Sequence, residues 1–138
     1  MSTISSKLPT AARILLGAVF FVFGLNGFFN FIPPPPPESM PEASVALAGA
    51  FVKSGYMIPL IKGTEVLGGA LLLSNRFVPL ALTLLAPVIV NIFAFHAFLA
   101  PSGLGMAIVI VLLEATLVYV HREAFRPMLR ARVPSQGH

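Results

Sequence analysis

The sequence predicts an all-α fold, a bundle of four transmembrane helices with a short interfacial helix between the first and second spans. Hydrophobic residues make up 57% of the 138 residues and charged residues only 10%, whereas an average soluble domain is about 45–50% apolar and about 25% charged. Four apolar segments also approach the length of about 20 residues that a membrane-spanning helix needs. This composition excludes an ordinary soluble domain, a disordered chain and a nucleic-acid-binding module.

The predicted elements follow one another within a single membrane domain, residues 1–138. The spans are expected at residues 14–32, 57–73, 77–99 and 104–120, and a basic tail at 121–138. Five consecutive prolines, Pro33–Pro37, predict a stiff extended connector because proline has no amide hydrogen. The segment Pro41–Lys53 has apolar residues on one face, which is typical of a helix lying at the membrane interface.

The basic residues predict the orientation of the chain. The net charge is +4, and an even number of spans places both termini on one side. Lys7, Arg13, Arg76 and the tail arginines then share that side, so the positive-inside rule predicts cytoplasmic termini. The expected partner is the lipid bilayer, and no nucleic acid is expected.

Ionisable and amide side chains inside apolar spans are the candidate functional residues, because such groups are costly in lipid. They are Asn26, Asn30, Lys62, Glu65, Asn91, His96 and Glu114. Counted from the outer ends of their spans, Lys62 and Glu65 lie about 8 and 12 Å deep and Glu114 about 15 Å deep. All seven fall in the outer half of the bundle or at its centre. The pattern predicts a polar ligand-binding pocket open to the outer side.

Each candidate also has a purely structural interpretation. Lys62 and Glu65 share a helix face and can pair, either to neutralise each other or to act on a ligand. Asparagines in spans often form interhelical hydrogen bonds. Asn91 and His96 lie about 140° apart around their helix. Their side chains can therefore face the same site only if Pro87 distorts the helix. Glu114 has to be protonated, or pair with Lys62 or His96 across the bundle.

Several kinds of chemistry have no sequence support. Cysteine is absent, which excludes disulfides, thiolate metal sites and cysteine-ligated iron–sulfur clusters. No metal-binding or phosphate-binding motif is present, so no metal is predicted and no catalytic residue can be named. Glycines in the first and second spans, Gly17, Gly24, Gly27, Gly68 and Gly69, predict close helix–helix approach.

Three segments carry a family resemblance: ARILLGAVFFVFGLNGFFNFIP, SGYMIPLIKGTEVLGGALLLSNRFVPLALTLLAPVIVNIFAFHAFL and LLEATLVYVHREAFRP. Together they resemble the DoxX-like family of small bacterial four-helix membrane proteins over residues 11–130, and KGTEVLGG and NIFAFH are the most specific parts. The resemblance implies a bacterial inner-membrane location. It also makes Glu65, Asn91 and His96 candidate residues of the binding site, because they match polar positions of the family.

The resemblance also implies a range of functions. The family takes its name from a subunit associated with thiosulfate:quinone oxidoreduction, and relatives are linked to oxidative or catechol stress, redox complexes and membrane-protein assembly. We expect binding of a small amphipathic, quinone- or phenol-like molecule or a lipid within a redox or stress-related system, without independent catalysis. The alternatives are an assembly scaffold, a proton-coupled transporter using Glu65, Glu114 and His96, and an acid–base membrane enzyme. Possible partners are further copies of the chain or subunits of a redox complex.

Overall fold

The structure, a computed structural model, describes residues 2–135, with side chains from Lys7 onwards. Its α-helices are α1 (Ser2–Phe29), α2 (Glu42–Ser54), α3 (Met57–Ser74), α4 (Val78–Phe98), α5 (Leu104–Val120) and α6 (Arg122–Phe125). Short 3₁₀ turns cover Pro37–Ser39, Pro101–Gly103 and Arg126–Leu129. No strand occurs among the described residues, so the all-α prediction is confirmed. The last three residues of the predicted tail, 136–138, lie outside the described residues.

Four helices are long and apolar enough to cross a membrane: Lys7–Phe29, Met57–Ser74, Val78–Phe98 and Pro101–Val120. These segments correspond to the four predicted spans, and three of them agree within a few residues. The first helix differs more, since it begins well before the apolar run and ends before Ile32. The predicted helix between the first two spans is α2, which begins and ends one residue later than predicted.

The end of α1 is set by asparagine rather than by the prolines. Asn30 adopts a left-handed conformation with φ of 52°, which asparagine tolerates better than most residues. Its backbone N–H donates to the Asn26 carbonyl at 2.8 Å, and the Ile32 N–H donates to Asn26 Oδ1 at 2.7 Å. The helix therefore stops at Phe29, three residues earlier than predicted.

The proline connector is only partly extended. Pro36 has φ of −58° and ψ of 137°, as in a polyproline II helix, but Pro37 already begins a 3₁₀ turn. The turn leads to Pro41, whose carbonyl accepts a hydrogen bond from Ser44 Oγ at 2.7 Å. Helix α2 then ends at Ser54 and is followed by Gly55, where φ is 80°. The connector thus brings the chain back to the bundle at Met57, where α3 begins.

The four long helices form a closed antiparallel ring, in the contact order α1–α3–α4–α5 and back to α1. Gly17 lies against Leu72 and Gly27 against Lys62, so α1 and α3 run in opposite directions. The buried core is mostly aliphatic and consists of Ala12, Leu16, Phe20, Leu72, Val78, Ala81, Leu82, Leu85, Ile89, Ile110 and Leu117. We call the end of the ring near Arg13 and His121 the termini end and the opposite end, near Lys62, the α2 end.

Candidate functional site

An ion pair lies inside the bundle near its α2 end. Lys62 Nζ is 3.1 Å from Glu65 Oε2, and their side chains are 27% and 6% exposed. The predicted pairing of these two residues on one face of α3 is confirmed. Because Glu65 is almost completely buried, the pair places a carboxylate within the apolar interior, where its partner partly offsets the cost of desolvation.

Glycines on α1 make room for this pair. A Cβ at Gly27 would lie only 2.3 Å from Lys62 Cγ, and a Cβ at Gly24 would lie 2.9 Å from the backbone nitrogen of Val66. Farther along, a Cβ at Gly69 would lie 2.5 Å from the backbone nitrogen of Phe21. These contacts confirm the predicted close approach of the two helices. The lysine stem therefore crosses α1 in a space that only glycine leaves open.

A cavity of about 200 Å³, which we call the central cavity, lies beside the pair within the ring. Its walls come from α1, α3, α4 and α5: Val19, Phe20, Phe23, Lys62, Glu65, Ile92, His96, Met106 and Ile110. Phe23 is 46% exposed and Met106 is 52% exposed. Since these two residues lie on the adjacent helices α1 and α5, the cavity opens sideways between those helices.

His96 supplies the third polar side chain of the central cavity. Its Nδ1 lies 3.3 Å from the Ala100 carbonyl, and a carbonyl can only accept, so a hydrogen bond here requires the proton on Nδ1. In that tautomer Nε2 is an acceptor. A Cβ at Gly103 would lie 2.5 Å from this ring, and Phe95 packs edge-on at 5.3 Å. The connection between α4 and α5 thus fixes the imidazole.

A second cavity of about 240 Å³, the side groove, lies between α3 and α4. Its walls are Met57, Ile61, Glu65, Pro87, Val88, Asn91 and Ile92. Glu65 and Ile92 line both cavities and so form the wall between them. Asn91 is exposed and lies in the groove, whereas His96 lies in the central cavity. Asn91 and His96 therefore line different cavities, as expected for residues about 140° apart on a helix that continues unbroken through Pro87.

Glu114 lies deeper, on the inward face of α5. It is 8% exposed, and neither carboxyl oxygen has a hydrogen-bond partner among the residues that the structure describes. The pairing with Lys62 or His96, one of the two predicted alternatives, is therefore not formed. Ile110, one turn away, lines the central cavity, which places Glu114 about 6 Å farther along the helix axis.

Like Glu114, the predicted site residues Asn26 and Asn30 line neither cavity. Asn26 uses its side-chain oxygen to hold the turn after α1, and Asn30 forms the turn itself. The structure therefore brings Lys62, Glu65 and His96 together, adds Asn91 across a shared wall, and leaves the other three candidates elsewhere.

The apolar walls of the central cavity were not selected from the sequence. Phe20, Ile92 and Met106 are ordinary span residues, and no pattern distinguishes them from residues facing lipid. Val19, Phe20 and Phe23 do share one face of α1 at helical spacing. That signal identifies an inward face, but the partner helices that complete the wall follow only from the ring order.

The comparisons with known proteins agree with the fold. The DoxX family model matches residues 8–97, which cover most of α1, all of α2 and α3, and α4 except its last residue. The match includes the cavity residues Lys62, Glu65, Asn91 and His96, but not Glu114. No curated protein and no solved structure matches the chain. With four apolar helices of spanning length and a family match over more than half of its length, this multi-pass membrane protein belongs to the DoxX family.

Proposed function

We propose that this protein binds a small amphipathic molecule with a quinone- or phenol-like head group in the central cavity. One observation carries the proposal: a buried ion pair and an imidazole line the same apolar cavity. Binding pockets for small molecules combine mostly apolar walls with a few polar groups that fix orientation. The central cavity has this composition.

The size of the cavity favours a single ring. An apolar protein cavity of about 150 Å³ is large enough to hold benzene, and the central cavity measures about 200 Å³. It therefore has room for one ring with its oxygen substituents. Pockets for drug-sized ligands measure about 300–1,000 Å³, so a fused polycyclic head group is too large.

The polar groups suit oxygens on such a ring. Lys62 uses one N–H on Glu65 and keeps others that can donate to a quinone carbonyl. Glu65 and His96 Nε2 can accept from a phenolic hydroxyl. Phe20 and Phe23 offer aromatic contacts to the ring itself. The same pocket can thus hold either the carbonyl or the hydroxyl form of the ligand.

The sideways opening favours a ligand that is dissolved in the membrane. The exposed mouth residues Phe23 and Met106 are apolar and belong to two spanning helices. A molecule in the bilayer reaches this mouth without crossing water, and an apolar tail remains in the lipid after the head group enters. We therefore propose a ligand with a ring head group and a lipid-soluble tail or substituent.

The setting of this activity is also a proposal. The basic residues at the termini end support an orientation with both termini in the cytoplasm, and the family supports the bacterial inner membrane. The α2 end, with the central cavity and side groove, then lies towards the outer side. A role within a redox or stress-related membrane system, together with partner subunits, is consistent with this arrangement.

Native mass spectrometry of the gently purified protein tests the proposal. We expect a small-molecule adduct on the wild type that is lost in Glu65→Gln. Added ubiquinol with a short tail, used as the probe, should bind the wild type and bind the variant at least about tenfold more weakly. Its hydroxyl can donate to the Glu65 carboxylate, and a hydrogen bond to a charged group contributes about 1.5–3 kcal/mol.

Glu38→Gln is the matched control, since Glu38 lies in the exposed turn before α2 and outside both cavities. Equal probe binding by the wild type, Glu65→Gln and Glu38→Gln would contradict the proposal. If no sample binds a small molecule but Glu65→Gln changes co-purification with other membrane proteins, the assembly scaffold becomes the better explanation.

A further inference from the structure

We propose that a cavity at the termini end of the bundle is a binding site for a phosphate group. This cavity, the terminal cavity, has a volume of about 160 Å³ and is separate from the central cavity. Its walls are Pro9, Thr10, Arg13, Asn75, Val120 and His121. Three distant parts of the chain meet there: α1, the turn after α3 and the end of α5.

Arg13 is the charged group of this cavity, and the bundle holds it in place. Its Nη1 donates to the carbonyls of Leu72 and Leu73 in the last turn of α3. A guanidinium has five N–H donors in a planar fork, so most of them remain after this contact. Two parallel donors on one edge match the oxygens of a phosphate. The structure therefore provides a positioned arginine with unused donors.

Arg13 has no acidic partner among the residues that the structure describes. The described residues contain two salt bridges, Lys62–Glu65 and Glu123–Arg126, and neither includes Arg13. No acidic side chain lines the terminal cavity. A partly buried arginine usually has a negatively charged partner, and the lining of this cavity offers none. A bound anion would be the counter-ion of Arg13.

The carbonyl ends of α3 and α5 would repel an anion if they were left open, because helix C-termini carry partial negative charge. They are covered instead. Arg13 donates to the last turn of α3, His121 Nδ1 donates to Leu117 O at 2.9 Å, and Arg122 donates to Tyr119 O at 2.9 Å. These contacts remove the main electrostatic objection to an anion in this cavity.

The level of the cavity indicates the kind of anion. Helix α3 ends at Ser74, α4 begins at Val78 and α5 ends at Val120, so the cavity lies where three spanning helices leave the bilayer. Lipid head groups carry phosphate at this level, and basic pockets between spanning helices bind such head groups. A phospholipid and free phosphate share this chemistry, and the experiment distinguishes them.

The test measures binding of phosphatidylglycerol to the full-length protein in neutral detergent by native mass spectrometry. Diacylglycerol with the same chains, which lacks the phosphate group, is the lipid control, and inorganic phosphate is the competitor. Arg13→Gln and Asn75→Asp should each weaken phosphatidylglycerol binding about tenfold or more, because each removes or opposes a charge-assisted hydrogen bond. Asp adopts the left-handed conformation of residue 75 nearly as readily as Asn, so Asn75→Asp keeps the test valid if Arg13→Gln fails to fold.

Two neighbouring variants are the matched controls. Arg76→Gln and Ser74→Asp change the charge by the same amounts at exposed positions outside the cavity. We expect them to change affinity less than about threefold, since exposed charges are screened. Displacement of the lipid by millimolar inorganic phosphate would identify free phosphate as a ligand, and lack of displacement would identify the lipid. Equal losses in Arg13→Gln and Arg76→Gln, or equal wild-type binding of both lipids, would overturn the site.

Discussion

Glu65 and Glu114 are both buried, but within the described part of the chain only Glu65 has a cationic partner. The cost of burying a polar group depends on whether its hydrogen bonds are made. Glu114 makes none with the described residues, so its carboxyl group lowers the stability of the fold. Glu114 is one turn from Ile110, which lines the central cavity, but it is not itself part of the cavity wall.

Replacement of Glu114 by leucine should therefore stabilise the protein. Removal of an unsatisfied buried carboxyl should raise the free energy of unfolding by about 1–3 kcal/mol, measured by thermal unfolding in detergent. Glu123→Leu is the control, because Glu123 is exposed and forms only a surface ion pair with Arg126, which is worth about 0–1 kcal/mol. A destabilised Glu114→Leu protein would show that the carboxyl group has a partner in the folded protein.

Removal of Glu65 should have the opposite effect on stability. In Glu65→Leu the ammonium group of Lys62 remains in an apolar setting without its partner, and we expect a loss of about 2 kcal/mol or more. The double variant Lys62→Met with Glu65→Leu should recover most of this loss, because apolar replacements of a buried pair are often neutral. Thermal unfolding of the single and double variants measures both effects.

The same double variant separates structure from function. If the pair only neutralises two charges, the stable double variant retains ligand binding. If the pair contacts the ligand, the protein is stable but does not bind the ubiquinol probe, and this second result is the one that we expect. A double variant that is as unstable as Glu65→Leu would contradict the energetic argument.

At the scale of the helices, the contact between α1 and α3 depends on glycines that face each other. A Cβ at Gly69 would approach the backbone at Phe21 to 2.5 Å and Gly17 O to 2.8 Å. Backbone atoms cannot rotate away as a side chain can, so the helices would have to separate. This separation would also disturb the space around Lys62 and hence the central cavity.

Two alanine substitutions on α3 test this contact. Gly69→Ala should destabilise the protein by about 1–3 kcal/mol, the usual cost of an overpacked interface. Gly63→Ala is the matched control, because a Cβ there meets nothing within 4 Å. It should leave stability unchanged or raise it by up to about 1 kcal/mol through higher helix propensity. If the two variants change thermal unfolding equally, helix propensity and not the close approach of α1 and α3 determines the effect of both substitutions.

The sequence predicted the helices better than the turns that end them. Apolar runs located all four long helices because span length follows from bilayer thickness. The predicted end of α1 at Ile32 is three residues too late, because the apolar run continues to the prolines past the point where the helix stops. The hydrogen bonds of Asn26 and Asn30 with the backbone depend on a left-handed turn, which composition does not reveal.

At the scale of the whole molecule, the sequence predicts how deep each polar residue lies in the bundle, but not which of these residues line the same cavity. Counting along each span placed Lys62, Glu65 and His96 near the same end of the bundle, and the structure places them in one cavity. The sequence did not reveal that Glu65 also faces a second cavity towards Asn91. It could not, because that arrangement depends on the order and rotation of helices around the ring.

The orientation of the bundle in the membrane decides which side of the cell the central cavity serves. Lys7, Arg13, Arg76 and the arginines after α5 lie at the termini end, whereas the turn with Glu38 lies at the α2 end. Basic residues are retained on the cytoplasmic side during insertion. A ligand of the central cavity would then exchange with the outer half of the bilayer, and a phosphate group in the terminal cavity would come from the cytoplasmic side.

Single-cysteine labelling tests this orientation without background, because the chain contains no cysteine. In intact cells a membrane-impermeant maleimide should label Glu38→Cys and leave Ser135→Cys unlabelled, since both positions are exposed but lie at opposite ends of the bundle. Inverted membrane vesicles should give the opposite pattern. The reverse result in both preparations would place the termini outside, and the central cavity would then open towards the inner leaflet. Labelling of both positions from one side would contradict the four-span arrangement itself.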